Sequence, residues 1–567
     1  MIYWIIIIIL LPFIFILISH LKSKAQQKKK LTEIKERWGK PIIASRNFKP
    51  VSTYLTAYGS VSEISADTAT DLDIDSVFEF IDRTNSKPGQ QYLYKQLHSP
   101  QISEEYFETL EQRIGNVNAD KELREAAELK LSELGNNDAY YLPELFKKPH
   151  HSMFPAIGNF YISIAPFLII GVAFSLFIVP NQFMLLLLLV LMIANVVIHY
   201  SNKTQMLNYT HSLPQLLVLF KVSNWLKNHT LLRDDESTRL SMANMDKLKK
   251  SLNYITLQNK AAIDPTDIYY LVTEWLKMFL LIEPLVFIKS ITKVNKYLSD
   301  IKVVYEAVAE VDVAISIQSV RDGAAHYCKP QLTTGDTHII IKDLYHPLIE
   351  NCVSNSIAID NTQGILVTGS NMSGKTTFIR AIAINALLSQ TINTSFATVY
   401  QAPPLKIFTS IDMTDDLGDN KSYFQAEAFA VKNIVAQTIA SKPINSLVII
   451  DEIFRGTNTI ERIAAAKAVL SYFIHNQSFV FVSTHDLELA ELLGSDYKVF
   501  SFEEVIGDDR LVFDYKIKEG LLKNRNGIAV LKGVGFPESI IDEANKVSSQ
   551  LREKYNLKLP FNCIFAS

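Results

Sequence analysis

Cysteine is nearly absent. The 567 residues hold three, Cys328, Cys352 and Cys563, scattered and in no metal-binding spacing. That excludes a disulfide framework, suggests no zinc site and fits reduced cytosolic thiols. Net charge is nearly absent too. Lys and Arg number 56 against 59 Asp and Glu, leaving −3. No global basic excess therefore draws the chain to nucleic acid, and any such contact has to be local. Glycine and proline, 20 each, are too few for a collagen-like chain, and 48% hydrophobic residues exclude a disordered one. No internal repeat of the roughly 20–50-residue period of solenoid proteins is apparent.

What the sequence has in surplus is apolar. Its mean hydropathy of +0.11 is high for a purely soluble protein and low for one that is mostly membrane. The length allows about three to five domains with ample core. The surplus is localised. Residues 2–21 form an apolar run interrupted only by Pro12, Ser19 and His20, and Lys22, Lys24, Lys28, Lys29 and Lys30 follow it. About 20 apolar residues cross a bilayer, and the flanking lysines place the following chain inside. A cleaved signal peptide would carry its basic residues first and a small-residue cleavage site after, and neither is present. Residues 160–179 and 182–199 are two further spans, separated by Pro180-Asn181, with Lys147, Lys148 and Lys203 outside them. They predict a transmembrane hairpin rather than a buried soluble one. Ile268–Ile288 contains Glu274, Lys277 and Glu283, and reads as a long soluble helix with one apolar face. Three spans then leave 22–159 and 200–567 in the cytoplasm.

Between these segments, Glu104–Leu134, Leu232–Asn259 and Asp300–Gln318 show apolar residues at three- and four-residue spacing, as amphipathic helices require. From about Gln331 the texture changes to short β-branched runs alternating with helices. HIIIK (338–342) and GILVTG (364–369) are strand-like. The second leads into Gly369-Ser370-Asn371-Met372-Ser373-Gly374-Lys375-Thr376, the pattern of a phosphate-binding loop, followed by Thr377 and an apolar-periodic helix. In such a loop backbone N–H groups curl round phosphates, Lys375 reaches the terminal phosphates, and Thr376 offers a hydroxyl to Mg²⁺. The helix opening at about Thr376 adds its positive end. NSLVII (445–450) reads as a buried parallel strand ending in Asp451-Glu452. There Asp451 is the expected metal residue and Glu452 the expected general base. SFVFVST (478–484) is another buried strand, ending at His485, which is placed to sense the terminal phosphate. The polar stretch 415–427 lies between the motifs and reads, on spacing alone, as a surface loop and helix start.

Together GILVTGSNMSGKTTFIR, SLVIIDEIFRGTNT and STHDLELA resemble the ATPase of the MutS mismatch-repair family. LYHPLIE (344–350), CVSN (352–355), KSYFQAE (421–427), YKIKEG (515–520), NGIAV (526–530) and GFPESIIDEA (535–544) extend the likeness. Residues 76–100 resemble the start of the family's helical lever domain, and EVDVAISI (310–317) its end.

The resemblance implies an α/β P-loop ATPase of mostly parallel sheet, an all-α lever domain and, here, three transmembrane helices. The implied organisation is an anchor at 1–21, a basic linker at 22–59, lever segments at 60–159 and 200–330 around the hairpin, the ATPase at 331–555 and a tail at 556–567. ATP and Mg²⁺ are the implied cofactors, with Val353 packed on the adenine. A homodimer is implied, in which Ser422, Arg455, Gly456 and Thr457 serve the partner's site. DNA, mismatched or branched, is the implied substrate. Departures from the family are the mismatch-reading front domain, for which nothing before Val51 has room, the connector domain, a reduced clamp and a nuclease tail. The expected function is a DNA-binding, repair-type ATPase in the cytoplasmic (inner) membrane, with its ATPase domain in the cytoplasm. The alternative is a membrane mechanoenzyme or signalling ATPase acting on a protein partner without DNA; a transporter fits poorly with few spans and no Ser-Gly-Gly signature. The basic run 22–40 reads as the positive flank of the anchor with anionic-lipid contact, or as a contact to nucleic-acid phosphates.

Overall fold

The computed structural model describes residues 21–22, 24–59, 63–150, 155–201, 203–252, 275–370, 373–411, 423–442, 444–507, 510–521, 528, 531 and 535–554. Two compact units form, one from residues up to Glu63 with Phe78–Ala324, the other from Ile64–Val77 with Ala325 onward. The second unit thus takes in a short segment that the sequence reading gives to the helical domain.

The helical unit is built on Leu298–Gly323, whose Ala, Val and Ile residues leave it buried on nearly every face. A helix apolar all round belongs at the centre of a core. It packs against helices Lys87–His98, Glu104–Asn118 and Glu236–Ser251. One buried carboxylate organises this centre. Asp312 accepts from the Asn85 and Ser86 backbone N–H groups at 3.0 and 2.7 Å and from the Ser86 hydroxyl at 2.6 Å. These lie at the N-terminus of the Lys87–His98 helix, whose cap is Ser86. Gly89 follows from this arrangement, because a Cβ there would lie 2.4 Å from an Asp312 oxygen. The two segments that resemble the start and end of a lever domain are therefore joined by a helix cap.

Helices end where polar side chains capture backbone groups. The stretch 104–134 divides at Asp120, which accepts from Glu122 and Leu123 N–H and starts a second helix, Lys121–Leu131. Leu232–Asn259 yields the helix Glu236–Ser251, and 253–259 lies outside the described residues. The single soluble helix expected at 268–288 is corrected: 268–274 lies outside the described residues, and the rest breaks at Leu280–Leu281 and resumes as Ile282–Asn295. Pro284 explains the restart, since its missing N–H is tolerated in a first turn but would interrupt a continuous helix.

Ala156–Ile178 and Gln182–Ser201 form an antiparallel pair joined through Pro180-Asn181. Within them 157–178 and 182–200 are long and apolar enough to cross a bilayer. Phe167, Phe177 and Phe183 are 75%, 88% and 82% exposed, which argues against a buried soluble hairpin. Among the described residues two helices pass this test rather than the expected three; the first expected span, 2–21, lies outside them except for Leu21.

The second unit holds strands β1 (Gln331–Leu332), β2 (His338–Leu344), β3 (Asn355–Asp360), β4 (Gly364–Gly369), β5 (Val399–Ala402), β6 (Leu405–Ser410), β7 (Asn445–Asp451), β8 (Phe479–Ser483), β9 (Tyr497–Gly507) and β10 (Arg510–Glu519). One sheet has the order β10-β9-β4-β8-β7-β6, parallel except for the antiparallel β10 edge. The other, β1-β5-β2-β3, is mixed. β4 and β8 are buried at every position, as central parallel strands require. The Lys375–Thr391 helix packs on this sheet. Its Asn385, fully buried, donates to Ala381 and Tyr345 carbonyls and accepts from Phe396 N–H at 2.6 Å and the Ser395 hydroxyl at 3.1 Å.

Candidate nucleotide site

The sheet brings the C-terminal ends of β4, β7 and β8 side by side. At the first, Gly369 has φ 151° and Gly374 φ 105°, values open to glycine and costly for other residues. The helix starts at Lys375, one residue before the expected Thr376. The Lys375 ammonium is buried and donates to the Gly369 and Ser370 carbonyls at 2.8 Å each. Ser373 closes the loop with a 2.9 Å bond from its hydroxyl to the Ser370 carbonyl. Asn371 and Met372 lie outside the described residues.

Thr376 donates its hydroxyl to Asp451 Oδ2 at 2.7 Å, and Ser483 donates to Asp451 Oδ1. A hydroxyl and a carboxylate oxygen in contact form a hard-oxygen donor set. Mg²⁺ sites use one or two such side chains and leave the remaining positions to phosphate and water. The residues present therefore fit a magnesium ion.

Glu452 follows β7 with φ 51°, and Phe454 has φ 63°. Left-handed non-glycine residues cost of order 1–3 kcal/mol each and persist where the surroundings hold them. Here Glu452 N–H donates to the Ser483 carbonyl at 2.9 Å, and Phe454 N–H donates to the buried Glu427 carboxylate. The turned backbone aims the Glu452 carboxylate at two side-chain nitrogens. His485 Nε2 lies 2.8 Å from Oε1, and Arg455 Nε lies 2.8 Å from Oε2. Burial raises the Glu452 pKa, but His485, Arg455 and Lys375 outweigh it and hold the group below the usual carboxylate range. His485 stands two residues beyond β8 rather than at its last residue. Its neighbour Asp486 is fixed by a bidentate pair with Arg462 at 2.7 and 2.9 Å.

A cavity of about 640 Å³ joins these groups. Ser370, Gly374, Lys375, Thr376 and Thr377 line one side, Asp451, Glu452, Arg455 and His485 another. Val353 lines it as well, beside Tyr515. Asn355 ties the two segments, donating to the Tyr515 carbonyl at 3.0 Å and accepting from Ile517 N–H at 2.9 Å. Of the residues expected at the partner's site, Ser422 lies outside the described residues. Arg455 reaches the acids of its own chain, Gly456 packs against Phe424, where a Cβ would meet that backbone at 2.8 Å, and Thr457 donates to Glu461 at 3.4 Å. Sequence reasoning gives no individual role to Glu427, Ser483, Asn355 and Tyr515. All four lie in segments that resemble the family pattern, CVSN, KSYFQAE, STHDLELA and YKIKEG, but the hydrogen bonds through which Glu427, Ser483 and Asn355 act leave no periodic trace.

Comparison with known proteins adds a family. Residues 365–552 match the model of MutS domain V. The DNA mismatch repair protein MutS of Ruminiclostridium cellulolyticum is 33% identical over 282 residues, covering 47% of this chain and 31% of that protein. That of Clostridium tetani is 32% identical over 295 residues, 49% of this chain and 33% of the relative. That of Methanosarcina mazei is 29% identical over 359 residues, 59% of this chain and 37% of the relative. The matches span about a third of the length of these relatives. With its phosphate loop, its acid pair and its parallel sheet, the 365–552 segment is similar to MutS domain V.

Proposed function

We propose that the chain binds and hydrolyses ATP with Mg²⁺, as a membrane-anchored MutS-like ATPase that works as a homodimer on mismatched or branched DNA. The observation that carries the reading is the convergence of Lys375, Thr376, Asp451, Glu452 and His485 on one cavity. Thr376 and Asp451 would hold the magnesium ion, which supplies charge neutralisation on the phosphate oxygens. Lys375, released from the loop carbonyls, pairs with the terminal phosphates. Glu452 is ionised at neutral pH and accepts the proton of the attacking water, and His485 orients that carboxylate. Val353 and Tyr515 offer apolar and aromatic surface to the base. Ser422, Arg455, Gly456 and Thr457 complete the partner's site on dimerisation. Residues 157–178 and 182–200, with 2–21, hold the protein in the cytoplasmic membrane, the ATPase domain inside.

Testing the DNA part requires the full chain in nanodiscs and a salt series. Retention of mismatched or branched DNA that changes with ATP and weakens with salt is expected. No retention of homoduplex, mismatched or branched DNA at low salt would eliminate DNA as the substrate. A second reading, a mechanoenzyme acting on a protein partner, is favoured by the exposed apolar hairpin. It predicts ATP hydrolysis that DNA leaves unchanged.

A further inference from the structure

The hairpin is covered at one place. Ile162 and Ala165 on its first helix and Asn195 and His199 on its second are buried, although most of their neighbours are exposed. The segment 275–288 covers them. Leu281 packs on Ile162 and Ala165, with Tyr161, Ile198, Leu285 and Ile288 around it.

The backbone of that segment is irregular. It is helical to Phe279, turns at Leu280 and Leu281, where Leu281 has φ 48°, and is helical again from Ile282. Pro284 has no N–H for the Leu280 carbonyl, and a helix break leaves the carbonyls of the preceding turn without their usual donors. The hairpin supplies one. Asn195 Nδ2 donates to the Phe279 carbonyl at 2.6 Å, and its Oδ1 accepts the Tyr161 hydroxyl at 2.7 Å.

Position along the hairpin sets the depth. Asn195 lies five residues before Tyr200, and Ile162 and Ala165 lie five and eight residues after Ile157, the ends of the two apolar stretches. At 1.5 Å per residue these contacts lie roughly 7–12 Å inside the ends of the spans. Irregular backbone at such depth is tolerated only where protein buries it and its polar groups are bonded. Leu281 is fully buried and the Phe279 carbonyl is bonded. Two of the charges that argue against membrane contact have other outlets, and Glu274 lies outside the described residues. Glu283 faces His199 at 4.0 Å, and Lys277 has a stem long enough to carry its ammonium toward the interface. Trp275 and Leu276, 57% and 50% exposed, remain as apolar surface beside the hairpin.

We infer that residues 275–288 form a re-entrant element, inserted beside the hairpin into the leaflet on its lysine-flanked side, with Trp275 and Leu276 in contact with lipid. The inference rests on the reading that the hairpin spans a bilayer.

The test uses the full chain with its three cysteines replaced by serine, reconstituted in phosphatidylcholine–phosphatidylglycerol vesicles. Single cysteines at Leu276→Cys, Leu187→Cys and Thr292→Cys carry an environment-sensitive fluorophore, and acyl-chain spin-labelled lipid is the quencher. Leu276→Cys and Leu187→Cys are expected to be quenched at least twofold more than Thr292→Cys. Quenching at Leu187→Cys with none above the Thr292→Cys level at Leu276→Cys overturns the re-entrant element and leaves the spanning hairpin standing. No excess quenching at either position overturns both. Adding Asn195→Leu should at least halve the excess at Leu276→Cys while that at Leu187→Cys stays; an unchanged excess at Leu276→Cys would overturn the docking role of Asn195.

Discussion

At the scale of the residue, the site depends on charges held by a few hydrogen bonds. Lys375 places its ammonium on two carbonyls of its own loop. Lys375→Ala should raise the dissociation constant for ATP at least tenfold, about 1.4 kcal/mol, as read by nucleotide-binding calorimetry. Unaltered affinity and turnover would refute the loop assignment. His346 lines the same cavity and accepts the Leu348 N–H on Nδ1 at 3.3 Å, which makes it a neutral imidazole. Burial, aided by Arg380 and opposed by Asp73, pulls its pKa down to about 4. Below about pH 6.5 the unfolded chain takes up a proton that the folded His346 refuses. Stability should therefore fall as the pH drops from about 6.5 towards 4, by up to about 1.4 kcal/mol per pH unit. His346→Gln should flatten that slope in denaturation curves; an identical slope would remove His346 as its source.

At the scale of the element, two glycines are fixed by what lies against them. A Cβ on Gly89 meets the Asp312 carboxylate, and one on Gly456 meets the Phe424 backbone. Gly89→Ala and Gly456→Ala should each destabilise by about 1–3 kcal/mol, the usual cost of overpacking. Gly456→Ala should also slow ATP turnover, because it displaces the turn that carries Glu452; thermal unfolding and a steady-state assay measure both effects. Of the six-stranded sheet β4, β7 and β8 were legible in the sequence because buried parallel strands are continuous apolar runs, while β6, β9 and β10 were not singled out; the phosphate loop was legible because its glycines and lysine stand at fixed offsets. Of the four-stranded sheet only β2 was legible. Its β1 has two residues and β5 four, too short to show a period. The break at Leu280–Leu281 was hidden by an apolar pattern that runs through it; Pro284 was the signal, and the Asn195 side chain that meets the freed Phe279 carbonyl comes from a distant segment. Asp451, Glu452 and His485 were legible as groups at strand ends. Ser483 and Glu427, which hold them in place, act through single hydrogen bonds that only the fold brings about.

At the scale of the whole molecule, the near-zero net charge and the apolar surplus have separate meanings. Among the described residues the surplus sits in exposed helices of the helical unit, while the second unit has a buried apolar core. If Ser422 completes the partner's site, chains carrying Ser422→Arg mixed with chains carrying Lys375→Ala should recover one working site per mixed dimer. No working site, counted by burst amplitude, would contradict sites shared across a dimer. We propose Glu452 as the base of a magnesium-dependent ATP hydrolysis in the cavity that Lys375 and Asp451 line. Single-turnover hydrolysis by Glu452→Gln decides this. ATP should bind within about threefold of the normal affinity, and the chemical step should slow about 10²-fold or more. Hydrolysis at the normal rate, with ATP still bound, would contradict it.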